Sequence, residues 1–280
     1  MNTARNISAT LFSIAANALL CTIGWKRKTV LANTALMQKG SCNKPDYGTL
    51  IRNMSRHLSE MLFKFSTFKN LPQHEAEYPY TCGHTSFRLD ESSRDVIRKM
   101  KSGGIFLTAH YGNYESIGPW LVRLQIPLKA SYARIRPRIL NKFLENRIRA
   151  VGEYRYSVNP INPREFLRML DCGELFCLVA DQDSRIPHAV GGRFFKTDVH
   201  NNPLPAFLLR NRPKTPVFIC WIQEDANART LHAKQLENAT EANVMDRFNY
   251  WLESRVNENP NLWYGFTHRR FKSTNPDIYR

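Results

Sequence analysis

The sequence predicts an α/β fold: a mixed central sheet flanked by helices, preceded by an N-terminal membrane-associated helix. Three observations predict it. From about residue 93 to residue 258, apolar runs of strand length alternate with segments of helical period. Two of the runs, 175–180 (LFCLVA) and 216–222 (PVFICWI), are almost continuously apolar, as central strands covered on both faces must be. And the 20 residues 6–25 (NISATLFSIAANALLCTIGW) are all uncharged and end at a basic triplet, Lys26, Arg27 and Lys28.

Twenty helical residues reach about 30 Å, the thickness of a bilayer core. A cleaved signal peptide needs a small-residue cleavage site, yet the stretch runs straight into the triplet. Lipoprotein processing ahead of Cys21 needs a small residue where Leu20 stands. The expectation is therefore a retained anchor at 1–28, spanning the bilayer or lying in its interface. Trp25 would sit at headgroup level and the triplet on the cytoplasmic side. A buried helix of a soluble domain is the alternative. Residues 29–280 are expected to form one domain.

After a polar break at 40–46, Leu50, Ile51, Met54, Leu58, Met61, Leu62, Phe65 and Phe68 fall on one helical face, with Arg52, Arg56, Glu60 and Lys64 between them. This helix, 50–68, serves either the core or a groove or membrane surface. Further on, helices are expected at 93–101, 113–124, 137–150, 163–171, 203–212 and 241–258. Strands are expected at 105–109, 128–134, 153–158, 174–180, 215–222 and 231–236. Gly191-Gly192 reads as a turn; a phosphate loop would need a following Lys-Ser/Thr and a helix start.

Composition narrows the partners. Forty Lys and Arg against 24 Asp and Glu leave a net charge of +16, which favours anionic company. The six cysteines form no C-x-x-C pair, so neither a zinc site nor a disulfide framework is expected, and Cys172 and Cys177 read as core packing in a reducing compartment. No metal and no cofactor is expected. A nucleic-acid partner is not expected either: the chain lacks ribonucleoprotein motifs, zinc-finger spacing and aromatic-interleaved basic strands.

The sharpest local feature is 105–115, IFLTAHYGNYE. A buried strand delivers His110 at its carboxyl end, where open α/β sheets commonly bind ligands. Gly112 permits a tight turn, Asn113 suits a helix cap, and Glu115 in the first turn can fold back toward the imidazole. Such a pair suits general-base catalysis, with His110 as base and Glu115 fixing its tautomer. No G-x-S-x-G elbow supports a serine nucleophile.

The His110…Glu115 spacing resembles the H-x4-D/E motif of lipid acyltransferases. Three further segments extend the likeness: 138–149 (RILNKFLENRIR), 179–183 (VADQD) with 191–195 (GGRFF), and 263–272 (WYGFTHRRFK). Together with 28–33, their order and spacing resemble the lipid A biosynthesis (lauroyl/myristoyl) acyltransferase family, within the lysophospholipid-acyltransferase-like superfamily, over 28–36 and 90–272. The resemblance implies a glycerolipid acyltransferase-like fold, with 29–280 as the catalytic domain. It also implies substrate-binding roles for Arg147, Asp181, Asp183, Arg269 and Arg270, while His268 is expected to be structural. The implied reaction moves an acyl group from acyl carrier protein or acyl-CoA to a hydroxyl of an anionic glycolipid, at the cytoplasmic face of the inner membrane. A mannoside, a lysophospholipid or an aminoacyl lipid are the alternative acceptors.

Overall fold

The computed structural model describes residues 2–132, 145, 149–158, 162–186 and 188–280. Helices α1 (Asn2–Thr22), α2 (Arg27–Gln38) and α3 (Tyr47–Ser59) lead through a π-helical stretch, Glu60–Lys64, into α4 (Phe65–Lys69). A hairpin of β1 (Tyr80–Cys82) and β2 (Thr85–Leu89) precedes α5 (Arg94–Met100), β3 (Gly104–Thr108), α6 (Ile117–Arg123) and β4 (Leu128–Ser131). Then come β5 (Ala150–Val151), β6 (Tyr154–Arg155), β7 (Ser157–Val158), α7 (Pro163–Asp171) and β8 (Leu175–Val179). The hairpin β9 (Val190–Phe194)–β10 (Thr197–Asn201), α8 (Leu204–Asn211), β11 (Val217–Glu224), β12 (Ala228–Gln235) and α9 (Val244–Glu258) follow. The helix expected at 137–150 lies almost wholly outside the described residues; its last residue, Ala150, is in β5.

Among the described residues eight strands make one mixed sheet in the order β1-β2-β12-β11-β3-β8-β4-β7. β11, β3, β8, β4 and β7 run parallel to one another, whereas β12 is antiparallel to β11. Both faces are covered. Ile105, Leu107, Phe176, Leu178, Val217 and Ile219 join one apolar layer; Phe106, Leu175, Cys177, Phe218 and Cys220 join the other. This period-two split explains why these strands read as unbroken apolar runs. Cys177 is buried as expected, but Cys172 is exposed beyond the end of α7, and all six cysteines are free.

Two hairpins are not apparent in the pattern of the sequence. Gly191 and Gly192, expected to form a turn, instead lie inside β9, where a Cβ on Gly192 would meet Asn201 and Asp246 at 2.7 Å. The turn is made by Phe195 and Lys196, both at positive φ, as two-residue hairpins require. Gly40 packs flat on this turn; a Cβ there would stand 1.9 Å from the Phe195 carbonyl oxygen.

At the amino end, α1 lies antiparallel along α3. Ser59 Oγ donates to the Ala9 carbonyl (2.5 Å), Tyr47 donates to the Trp25 carbonyl (2.8 Å), and the Phe12 and Phe63 rings meet at 5.6 Å. Leu50 and Ile51 of α3 and Phe65 and Phe68 of α4 are buried in the core, whereas Leu58 is exposed and Glu60, Phe63 and Lys64 line a groove, so the 50–68 segment serves the core on one side only. α2 turns away by 77° and enters the core with Val30, Asn33, Thr34 and Met37. Among the described residues no single helix is long and apolar enough to cross a membrane.

Candidate active site

β3 and β8 are parallel neighbours, with Thr108 opposite Val179. Two residues beyond each strand end stand His110 and Asp181, so the register carries them out side by side. His110 Nδ1 donates to Asp181 Oδ1 (2.7 Å), and the His110 backbone N–H donates to Oδ2 (3.0 Å). Trp263 Nε1 adds a third hydrogen bond to Oδ2 (2.8 Å). The carboxylate is fully buried, while the imidazole keeps 18% of its surface. A buried anion with three donors is the arrangement that low dielectric demands.

The chain around His110 is held by a far segment of sequence. Tyr264 N–H donates to the His110 carbonyl (2.8 Å), Gly112 N–H donates to the Leu262 carbonyl (2.9 Å), and Tyr111 and Trp263 form a bridge. Gly112 takes φ +55°, which a side chain would strain. Gly265 leaves room for the Trp263 indole, which a Cβ would meet at 2.1 Å.

Electrostatics follow from this geometry. Burial opposes the Asp181 charge, but the His110 charge, its hydrogen bonds and that of Trp263 outweigh burial and hold the carboxyl well below its usual range. Burial likewise depresses His110, yet Asp181, with Glu115 further away, raises it above the ordinary histidine value. With Nδ1–H committed to Asp181, the neutral ring presents its lone pair at Nε2. There the exposed Gln182 amide donates at 3.4 Å. His268 lies 5.1 Å from His110, ring to ring; burial and the charge of His110 push it down to about 4, so it stays neutral.

Glu115 does not take the place expected of it. Among the described residues it makes no hydrogen bond to the imidazole; Asp181 occupies Nδ1 instead. It sits in a 3-10 turn, Tyr114–Ser116, where burial raises its carboxyl and the charges of Arg149 and His110 partly offset the rise. Arg149 stacks over the Tyr132 ring at 4.3 Å, and one of its guanidinium nitrogens is buried with no hydrogen-bond partner among the described residues. Asn113 does not cap the helix. Its amide donates to Glu60 (2.8 Å) and Glu224 (3.3 Å), and its oxygen accepts from Ser116. The π-helical stretch after α3 carries Glu60 into this network, and Arg229 bridges Glu60 and Glu224.

The model of the bacterial lipid A biosynthesis acyltransferase family matches residues 49–273. The chain belongs to that family. No curated protein matches it. The match takes in α3 and the β1–β2 hairpin, which lie outside the stretches of sequence likeness. As a member of the lipid A biosynthesis acyltransferase family the protein is an O-acyltransferase, and its substrates are an acyl donor and a lipid A-like glycolipid.

Within this family member the remaining expected residues separate. Arg147 lies outside the described residues. Arg270 is 1% exposed and donates to the carbonyls of Gln182 (3.0 Å) and His200 (3.1 Å) and to the side chains of Asn201 (2.7 Å) and Asn249 (3.4 Å). So placed it ties the Asp181 loop to the β9–β10 hairpin, turned away from solvent; burial pushes it down to about 10. Asp183 is also internal, accepting from Ser273 Oγ (2.8 Å) and pairing with Arg185 at 3.6 Å. Arg269 alone of the basic pair is exposed, 5.9 Å from the Tyr279 ring. His268 is held structurally: Asn33 of α2 donates to its carbonyl (2.7 Å) and to that of Phe266 (2.8 Å).

Proposed function

We propose that the protein transfers a fatty acyl group from a carrier thioester to a glycolipid hydroxyl in a late step of lipid A assembly, with His110 as general base and Asp181 as the group that positions it. The observation that carries this reading is the 2.7 Å Nδ1–Asp181 contact beside an accessible Nε2. The acceptor hydroxyl displaces Gln182 from Nε2. As its oxygen bonds to the thioester carbonyl carbon its proton passes to Nε2, and Asp181 stabilises the imidazolium. Collapse of the tetrahedral intermediate breaks the C–S bond, and the imidazolium returns the proton to the departing thiolate. No acyl-enzyme forms.

Glu115 acts on this base through space, and Arg149, near Glu115, is a cation available to a phosphate or to the developing oxyanion. The net charge of +16 suits two anionic substrates, a phosphorylated glycolipid and an acidic acyl carrier protein. Free cysteines and the basic triplet after α1 fit a site on the cytoplasmic side of the inner membrane. Exposed Arg269 is the member of the terminal pair suited to a headgroup phosphate. Arg269→Ala should raise KM for a phosphorylated acceptor about tenfold with Tm unchanged.

The test is incubation of the purified protein with acyl carrier protein or CoA thioesters and a phosphorylated lipid A precursor, followed by mass spectrometry. A new acyl ester on the precursor is the expected result. Acylation only of a lysophospholipid, a mannoside or an aminoacyl lipid would replace the acceptor, and no transfer from either donor would overturn the reading.

A further inference from the structure

On α1, residues Ile7, Leu11, Ile14 and Leu19, with Ile23 just beyond it, are each more than half exposed. Ile7, Leu11 and Ile14 share one side of the helix, with Leu19 at its edge, and Ala9 is buried on the other side, against α3. A face of large aliphatic side chains at this exposure is costly in water and marks a docking surface. At its end Lys26, Arg27 and Lys28 are all exposed, while residues 6–25 carry no charge. An uncharged aliphatic strip ending in a cationic cluster is complementary to acyl chains bordered by anionic headgroups.

We infer that α1 is an interfacial helix, lying along the surface of an anionic bilayer with its Ile7–Leu11–Ile14 face among the acyl chains, and that it does not cross the membrane. Its other side is already occupied. The Ser59–Ala9 and Tyr47–Trp25 hydrogen bonds fasten both ends of α1 to α3. α3 exposes Arg52 and Arg56, and Arg56 pairs with Glu224 of the sheet at 2.8 Å. Crossing the bilayer would strip α1 from these partners or draw the arginines in with it. The continuation after the 77° bend is equally committed, because α2 buries Asn33 against the Phe266 and His268 carbonyls.

The same packing sets the distance from lipid to chemistry. α3 carries His57, whose ring meets Tyr114 at 5.2 Å and Tyr264 at 5.7 Å, and Tyr114 meets the His110 ring at 4.9 Å. One helix therefore separates the lipid-facing strip from the residues around the base. The inference concerns membrane docking and does not depend on which acceptor is acylated.

Flotation of the full-length protein with phosphatidylcholine vesicles, with and without phosphatidylglycerol, tests it together with the sidedness of an epitope placed ahead of residue 2. The wild type should float with the anionic vesicles, more weakly at high salt, and should be released by alkaline carbonate. Leu11→Asp and Ile14→Asp should each lower the bound fraction about tenfold or more, and Leu11→Phe should retain it. Lys28→Glu should weaken binding only to anionic vesicles. In inner-membrane vesicles the epitope should lie on the same side as the body of the protein. With acceptor in detergent micelles, Leu11→Asp should transfer acyl groups as the wild type does, which separates failed docking from failed catalysis. The inference is overturned by an epitope on the opposite side, by carbonate resistance, or by undiminished flotation of both aspartate variants. A self-associating protein whose dimer, but not its vesicle binding, is broken by Leu11→Asp would overturn it as well.

Discussion

Two carboxylates flank His110, and their surroundings could hardly differ more. Asp181 follows a central strand, has no solvent-exposed side-chain surface, and receives hydrogen bonds from two groups of His110 and from Trp263. Glu115 follows a loop, is partly exposed, and reaches the imidazole only through its charge. Burial opposes ionisation of both. At Asp181 the donors win and the carboxyl is driven down; at Glu115 none is found among the described residues and burial drives it up. Nearness along the chain therefore says little about which carboxylate orients a base. Register between parallel strands says much more.

Four substitutions probe that contrast, in order of falling effect on turnover. His110→Ala removes the proton acceptor and should lower kcat by at least about 10³-fold with Tm nearly unchanged; full activity would end the reading of this site. Asp181→Asn should cost about 10²–10⁴ in kcat, because the amide no longer holds the Nδ1–H tautomer or balances the imidazolium. It also has a pH signature. Only neutral His110 accepts a proton, so wild-type kcat/KM should rise with pH through a midpoint above that of an ordinary histidine. Removing the main group that raises His110 should move the rising limb to lower pH. A slow variant with an unmoved limb would show that Asp181 merely shapes the fold.

Trp263→Phe deletes one of the donors to Asp181 and should lower kcat about tenfold. Stability should fall by about 1.5–3 kcal/mol, the usual worth of a hydrogen bond to a charged group, read by denaturant titration. Glu115→Gln should have the smallest effect, within about tenfold in kcat, with a slight downward shift of the same limb. A loss as large as that of Asp181→Asn would reverse the ranking of the two carboxylates.

Much of the architecture was legible. α5, β3, α7, β8, α8, β11 and α9 fall where hydrophobic period and length put them, and the 163–171 helix has the expected bounds. The missed elements gave little signal. β1, β2, β9 and β10 are short with polar alternation, and the β9–β10 turn is built from Phe195 and Lys196, neither a usual turn residue. α2 hides behind the basic triplet.

At the site, His110 was visible because strand and loop are contiguous. Asp181 stood out as a strand-end residue, yet its contact with His110 required knowing that β8 is the neighbour of β3. Arg269 and Arg270 look alike as letters. Their opposite fates, one outward and one buried on Gln182, His200 and Asn201, depend on the β9–β10 hairpin that the pattern did not reveal.

The clasp of residues 262–264 over the His110 loop bears on when this enzyme can first work during its synthesis. Until the ribosome has emitted Trp263 and Tyr264, neither Asp181 nor the His110 carbonyl has its partner from that segment. A nascent chain that already contains His110, Asp181 and the whole sheet thus still lacks the segment that pins the base and its carboxylate in place.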